Sequence, residues 1–121
     1  MKFIFDNDIP IYIQLVEQLK IFIISGQINP GERIPSVRDL ALLSKVNPNT
    51  MQKALSELEE LKLIYTERTN WKYVTNEQEL IDKYKYEYAI KLSKQYIFNM
   101  KNIGFSEDEL ISYLKDLGGK E

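Results

Sequence analysis

The chain contains no histidine and no cysteine. Without imidazole it lacks the usual general base near neutral pH and the commonest metal ligand, so hydrolase triads built on His are excluded. Without thiols there are no disulfides and no thiolate metal sites, which suits the inside of a cell; a cytoplasmic location is expected. No apolar run approaches a membrane span, and Met1-Lys2-Phe3 leads into acidic residues, unlike a signal peptide. A glycine-rich phosphate cradle is missing, and the carboxylates are scattered over polar helix faces. A non-enzyme with neither cofactor nor metal is therefore expected. Bulk positive charge is absent as well. Residues 1–75 carry nine Lys/Arg against nine Asp/Glu, and residues 76–121 carry seven against nine, which accounts for the whole net charge of −2. Any face for a polyanion must come from the placement of a few cations.

What is present belongs to a soluble globular chain: 44% hydrophobic and 28% charged residues over 121 positions, enough for one compact domain or a small domain with an appended element. The most informative stretch is Ser36–Leu61. It reads as two short helices joined by a tight turn, with Asn47-Pro48-Asn49-Thr50 opening the second. Asn at an N-cap can bond an unpaired N–H of the first turn, and Pro at the first helical position loses no needed donor. Such a sharply fixed helix start can meet a phosphate backbone and base edges in a major groove. An ordinary helical hairpin with a well-made cap fits the same pattern.

Upstream, Asp8-Ile9-Pro10 starts a helix whose buried face is Tyr12, Leu15, Val16, Leu19, Phe22 and Ile23, ended by Ser25-Gly26. Asn29-Pro30-Gly31-Glu32 is a turn, and Ser36 after Pro35 caps the next helix, with Asp39 in a capping-box position. Val37, Leu40 and Ala41 of that helix, and Met51, Ala54, Leu55 and Leu58 of the following one, should face inward. Glu57, Glu59 and Glu60 crowd the end of this third helix, against its macrodipole. They make sense if only the leading half approaches a polyanion, or simply as a solvated face. Leu63–Thr66 and Trp71–Thr75 then read as a β-hairpin, with Arg68 and Asn70 near its tip. The order is that of a winged helix.

Asn76–Ile103 is a long helical stretch, roughly 40 Å at ~1.5 Å per residue. Ile81, Tyr84, Tyr88, Leu92, Tyr96, Met100 and Ile103 form a stripe along it, widened by Ile90, Ile97 and Phe98. Gly104 ends it, and Ser106-x-x-Glu109 is a capping box for a last helix carrying Leu110, Ile111, Leu114 and Leu117. Two helices cannot bury so much apolar surface alone. A second copy of the chain is the economical partner, with Ile81, Tyr84, Tyr88, Leu92, Tyr96, Met100, Leu110 and Leu114 as the dimerisation set. The competing arrangement folds the tail back over the first domain. The expected class is mostly α with a small β-hairpin: a winged helix-turn-helix over 1–75, then a two-helix dimerisation tail over 76–121.

The runs Pro10–Leu15, Ser25–Ala41 and Val46–Thr50 closely resemble the GntR family of bacterial transcriptional regulators, whose pattern PxYxQ, SGxxxPGxxLPSxRxLA and VNPNT they match in order and spacing. The short two-helix ending, with Gly104-Phe105-Ser106 before an acidic helix, looks like the YtrA-like subfamily. The resemblance implies a homodimeric regulator binding palindromic double-stranded DNA, and it places Arg38 where a family arginine meets DNA. The candidate DNA-contacting set is Arg33, Ser36, Arg38, Asn47, Asn49, Thr50, Gln52, Lys53, Arg68 and Thr69. Arg can grip guanine or phosphate, Asn and Gln suit adenine, and Thr suits phosphate. This chain departs from the family where the wing usually reads Arg-Gly-x-Gly: here it is Arg68-Thr69-Asn70-Trp71. Losing both glycines denies the tip a close backbone approach. Lys45 and Lys62 also stand where glycine is usual, which can shift local geometry. About 45 residues after the wing cannot hold the small-acid-binding or aminotransferase-like domain of other branches, so the usual effector pocket is not expected. The alternative reading is a winged-helix adaptor that uses Trp71 and its tyrosine-rich tail on another protein.

Overall fold

A computed structural model describes residues 1–67 and 70–119. The elements run α1 (Ile11–Ile24), α2 (Val37–Ser44), α3 (Pro48–Glu60), β1 (Ile64–Thr66), β2 (Lys72–Val74), α4 (Gln78–Asn102) and α5 (Glu107–Gly118). The mostly helical class with one small hairpin is the expected one. Two compact units form, Met1–Lys85 and Tyr86–Glu121, the division falling inside α4.

In the first unit the apolar periodicity of three helices converges on one interior. Leu15, Leu19 and Ile23 of α1, Leu40 of α2, and Met51, Ala54, Leu55 and Leu58 of α3 are all nearly inaccessible. Leu63, Ile64 and Val74 of the hairpin join them, as does Ile81. Tyr12, expected on the buried face, is only half-buried, because its ring reaches the rim and its hydroxyl donates to Glu57 Oε2 at 2.6 Å.

The arm before α1 is laid along that helix by two glutamines. Gln14 Oε1 accepts from Asp6 N at 2.7 Å while its Nε2 donates to the Asp6 and Ile9 carbonyls. Gln18 brackets Ile4 in the same way, and Phe3 stands edge-on to Phe22 with centroids 5.2 Å apart. A side-chain amide supplies donor and acceptor together, so it can stand in for a strand along otherwise unpaired main chain.

β1 and β2 pair antiparallel in the register Ile64↔Val74, Tyr65↔Tyr73, Thr66↔Lys72. The other edge of β2 is paired too. Gly31 N donates to Val74 O, Val74 N to Glu32 O and Ile34 N to Lys72 O, each at 2.9 Å, and Arg33 bridges Tyr73. The sequence suggested only a turn here, because Pro30 and Pro35 bracket a segment too short to show alternation. Gly31 takes φ +77°, and a Cβ there would fall 2.5 Å from Asn76 Oδ1. Its role is to turn the chain into this pairing.

The second unit holds the end of α4 and all of α5. Gly104 takes φ +98°, and the expected capping box forms at Ser106, whose backbone N–H and hydroxyl both donate to Glu109 Oε1. The backbone donation leads in holding the Glu109 carboxyl below its ordinary pKa. Tyr96 donates to Leu110 O at 3.1 Å, and Phe105 meets Tyr113 edge-on. Among the described residues no helix is long and apolar enough to cross a membrane.

Candidate nucleic-acid interface

The face expected to meet DNA is built by two helix caps and two strained turns. Ser36 Oγ accepts from Asp39 N at 3.1 Å and fixes where α2 begins. The chain leaves α2 through Lys45 at φ +57°, with Val46 N returning to Ala41 O at 3.1 Å. It leaves α3 through Lys62 at φ +64°, with Leu63 N returning to Leu58 O at 3.1 Å. Both are Schellman closures, which ordinarily place glycine at the left-handed residue. Lysine therefore keeps the glycine geometry rather than shifting it, and the packing of Val46 and Leu63 must carry the steric cost.

α3 starts as the sequence indicated: Asn47 Oδ1 accepts from Asn49 N at 2.8 Å and Pro48 occupies the first turn. With its oxygen used in the cap, Asn47 offers chiefly its two N–H donors, which suit a phosphate better than a paired contact to adenine. Asn49, Gln52 and Lys53 are exposed on the leading half of α3, while Thr50 is half-buried. Gln52 also reaches Ser56 Oγ at 3.4 Å, and the Lys53 ammonium lies 5.9 Å from the Tyr12 ring. Arg38 is exposed on the first turn of α2, beside the half-buried Ser36. Arg68 and Thr69 lie outside the described residues.

The acidic end of α3 has a structural cause. Glu57 receives the Tyr12 hydroxyl, which raises the tyrosine's pKa, and so ties α3 to α1. Glu59 pairs with Lys72 of β2 and accepts from Thr66 Oγ1 at 2.6 Å, tying α3 to the hairpin. Partial burial pushes the Glu59 carboxyl up, but the bonds from Lys72 and Thr66 outweigh it and hold the pKa below the ordinary value. These ties span many residues, and the helix face alone does not announce them.

A second feature is equally non-local. The Arg33 guanidinium lies 3.9 Å over the centre of the Trp71 ring. Trp71 also walls an open cleft of about 330 Å³ shared with Pro35, Ser36, Val37 and Arg38 at the start of α2. Asn70, beside it, takes φ +68°.

The pattern of bacterial regulatory proteins of the gntR family matches residues 11–70. Over 118 residues the chain is 33% identical to the HTH-type transcriptional repressor YtrA of Bacillus subtilis (strain 168), covering 93% of this chain and 91% of that one. The chain belongs to the gntR family. The uncharacterized HTH-type transcriptional regulator YhcF of the same organism is 31% identical over 111 residues, 92% of each chain. A GntR family transcriptional regulator from Listeria monocytogenes superposes with a TM-score of 0.86 at 36% identity, covering 93% of this chain and 98% of that one. The chain is thus a sequence-specific DNA-binding regulator of the gntR type.

The residues predicted for the tail divide by burial. Ile81 and Leu110 are buried within the chain, whereas Leu92 and Leu114 are 49% and 55% exposed. Tyr84, Tyr88, Tyr96 and Met100 are half-buried, Tyr84 reaching Leu61 O at 3.4 Å. The largest exposed apolar groups of the tail include Phe98, Ile103, Ile111 and Leu117.

Proposed function

We propose that this chain is a homodimeric transcriptional repressor of the YtrA-like subfamily, which occludes a promoter by binding a palindromic operator. Residues 1–75 form the DNA-binding winged helix and residues 76–121 the dimerisation tail. Each subunit offers Arg38 and the leading turn of α3 (Asn47, Asn49, Thr50, Gln52, Lys53) to one half-site, with Ser36 and Arg33 positioned for backbone contacts and Arg68 and Thr69 at the wing tip. The tail sets the distance between half-sites.

One observation carries this reading: the exposed polar residues at the head of α3 and α2 are held by caps, while their apolar counterparts are buried beneath them. Repression is supported by the likeness to a protein named as a transcriptional repressor over nine-tenths of both chains. Dimerisation is supported by the second unit, which leaves Leu92, Phe98, Ile103, Ile111, Leu114 and Leu117 exposed and, among its described residues, buries only Leu110.

Selection of bound genomic fragments followed by fluorescence anisotropy tests the proposal. A two-fold symmetric motif, a steep loss of affinity with salt and a dimeric mass are expected. A lone subunit that ignores every duplex at low ionic strength overturns it.

A further inference from the structure

We infer that Trp71 is a positioning residue that presents the Arg33 guanidinium to a DNA backbone phosphate, so that the wing makes its contact through a stacked cation rather than through a glycine tip. The inference rests on the DNA-binding reading above and adds a specific device to it.

The geometry has three parts. First, the guanidinium carbon sits 3.9 Å above the Trp71 ring centre, close enough for one face of the plane to be occupied by the ring. A guanidinium stacked by its face keeps its N–H donors in the plane, directed outward from the stack, which is the edge a phosphate takes in a bidentate contact. Second, both partners stand on paired backbone. Arg33 is bridged to Tyr73 between the bonds Val74 N to Glu32 O and Ile34 N to Lys72 O, and Trp71 O accepts from Glu67 N at 2.9 Å. A long cation whose stem and head are both fixed loses less conformational freedom on meeting a ligand. Third, the neighbouring cation of β2, Lys72, is paired with Glu59. Its charge is committed to holding the hairpin on α3, whereas Arg33, itself exposed, is, among the described residues, the cation on the segment paired with the other edge of β2. Glycine at position 71, the residue usual in the resembled wing, could not make the stack.

The test uses the full chain and a fluorescein-labelled duplex of random sequence, since a phosphate contact is independent of sequence. Arg33→Ala and Trp71→Leu should each weaken binding about three- to tenfold and flatten the plot of log affinity against log salt by ~0.9, the share of one phosphate. The double variant should lose no more than either single one. Leucine keeps an apolar side chain but has no π face, whereas Trp71→Phe keeps the face and should retain the salt slope. Trp71 is the only tryptophan, so its emission in the DNA-free protein should shift in Arg33→Ala if the stack exists in solution. Additive losses, an unchanged slope in Trp71→Leu, or an unmoved emission would each overturn the assignment. Arg38→Ala separates the two levels. Should it weaken binding while Trp71→Leu does not, the stack fails and the DNA-binding reading stands; should the wild-type chain bind no duplex, both fail.

Discussion

The two units of this chain use similar residues to opposite ends. From Met1 to Lys85, leucines, isoleucines and aromatics at helical spacing close over one another, and among the described residues this unit supplies every buried hydrophobic residue but Leu110. From Tyr86 onward the same residue types recur at the same spacing, yet Phe98 is 65%, Ile103 70% and Leu117 61% exposed. Periodicity tells where a helix is apolar; it does not tell what covers it. The first unit has α1, α2, α3 and the hairpin to enclose a centre. The second has only the end of α4 and α5, joined by the bond from Tyr96 to Leu110 O, and two helices can shield one face at most. Its interior has to be supplied by something else, and a second copy of the chain is our proposal.

The contrast is easiest to break at the centre of the first unit. Leu55 is fully buried, and Leu55→Ala should cost about 2–5 kcal/mol in urea unfolding, independent of protein concentration. Phe98→Asp in the tail should leave the unfolding of the first unit unchanged within about 0.5 kcal/mol. It should instead dissociate the dimer, seen as a halved mass by light scattering. A concentration-independent loss of several kcal/mol from Phe98→Asp would show that the tail is covered by its own chain. Next in size is Arg38→Ala, expected to weaken operator binding ten- to a hundredfold, about 1–3 kcal/mol, with unchanged circular dichroism. An unaltered gel shift would remove Arg38 from the DNA face and leave the two units distinguished by packing alone.

How much of this was legible in the sequence follows the range of the interactions. The α2–α3 turn could be read directly, because Ser36, Asn47 and Pro48 act on backbone within three residues of themselves. The inward faces of α1 and α3 were legible for the same reason, one helix being its own ruler. The pairing of Gly31–Ile34 with β2, the tie from Tyr12 to Glu57 and the stack of Arg33 on Trp71 were not. Each joins residues about forty apart, and each uses a side chain or backbone whose local setting suggests something plainer: a turn, a solvated acid, an outward arginine. Ile81 shows the limit from the other side. The stripe on α4 placed it with Leu92 and Ile103, but Ile81 is buried with the first unit.

Lys45 and Lys62 bear on the first unit's margin. Both sit at positive φ where a side chain is crowded, so the unit holds two positions of stored strain at the ends of α2 and α3. Lys62→Gly should relieve this and raise stability by about 0.5–1 kcal/mol, glycine's greater freedom in the unfolded chain offsetting part of the gain. Thermal unfolding measures it. A loss of stability would mean that the lysine side chain contributes more than its backbone costs. Affinity for DNA should fall only slightly with the removal of one exposed charge.

The smallest expected effect concerns acid, and it separates ties within the first unit from those in the second. The Glu59 carboxyl is held below its ordinary value of 4.5 by Lys72 and Thr66, despite the opposing push of partial burial. A depressed folded pKa means that the ionised form is favoured by folding. The stabilisation is therefore complete above 4.5 and is lost as pH falls through the lower, folded value. Because both side chains remain partly open to solvent, the gain is about 0.5 kcal/mol rather than that of a buried pair. Glu59→Gln should accordingly be about 0.5 kcal/mol less stable than wild type at pH 7, and the gap should close on acidification below pH 4.5. Glu107 and Glu109 are also held low, by Lys101 and by the Ser106 N–H and hydroxyl respectively, but both lie in the second unit and are unchanged in this variant, so they cancel in the difference. A gap that stays constant from pH 7 to pH 3 would mean that Glu59 holds the hairpin on α3 by shape and neutral hydrogen bonding, with its charge contributing nothing.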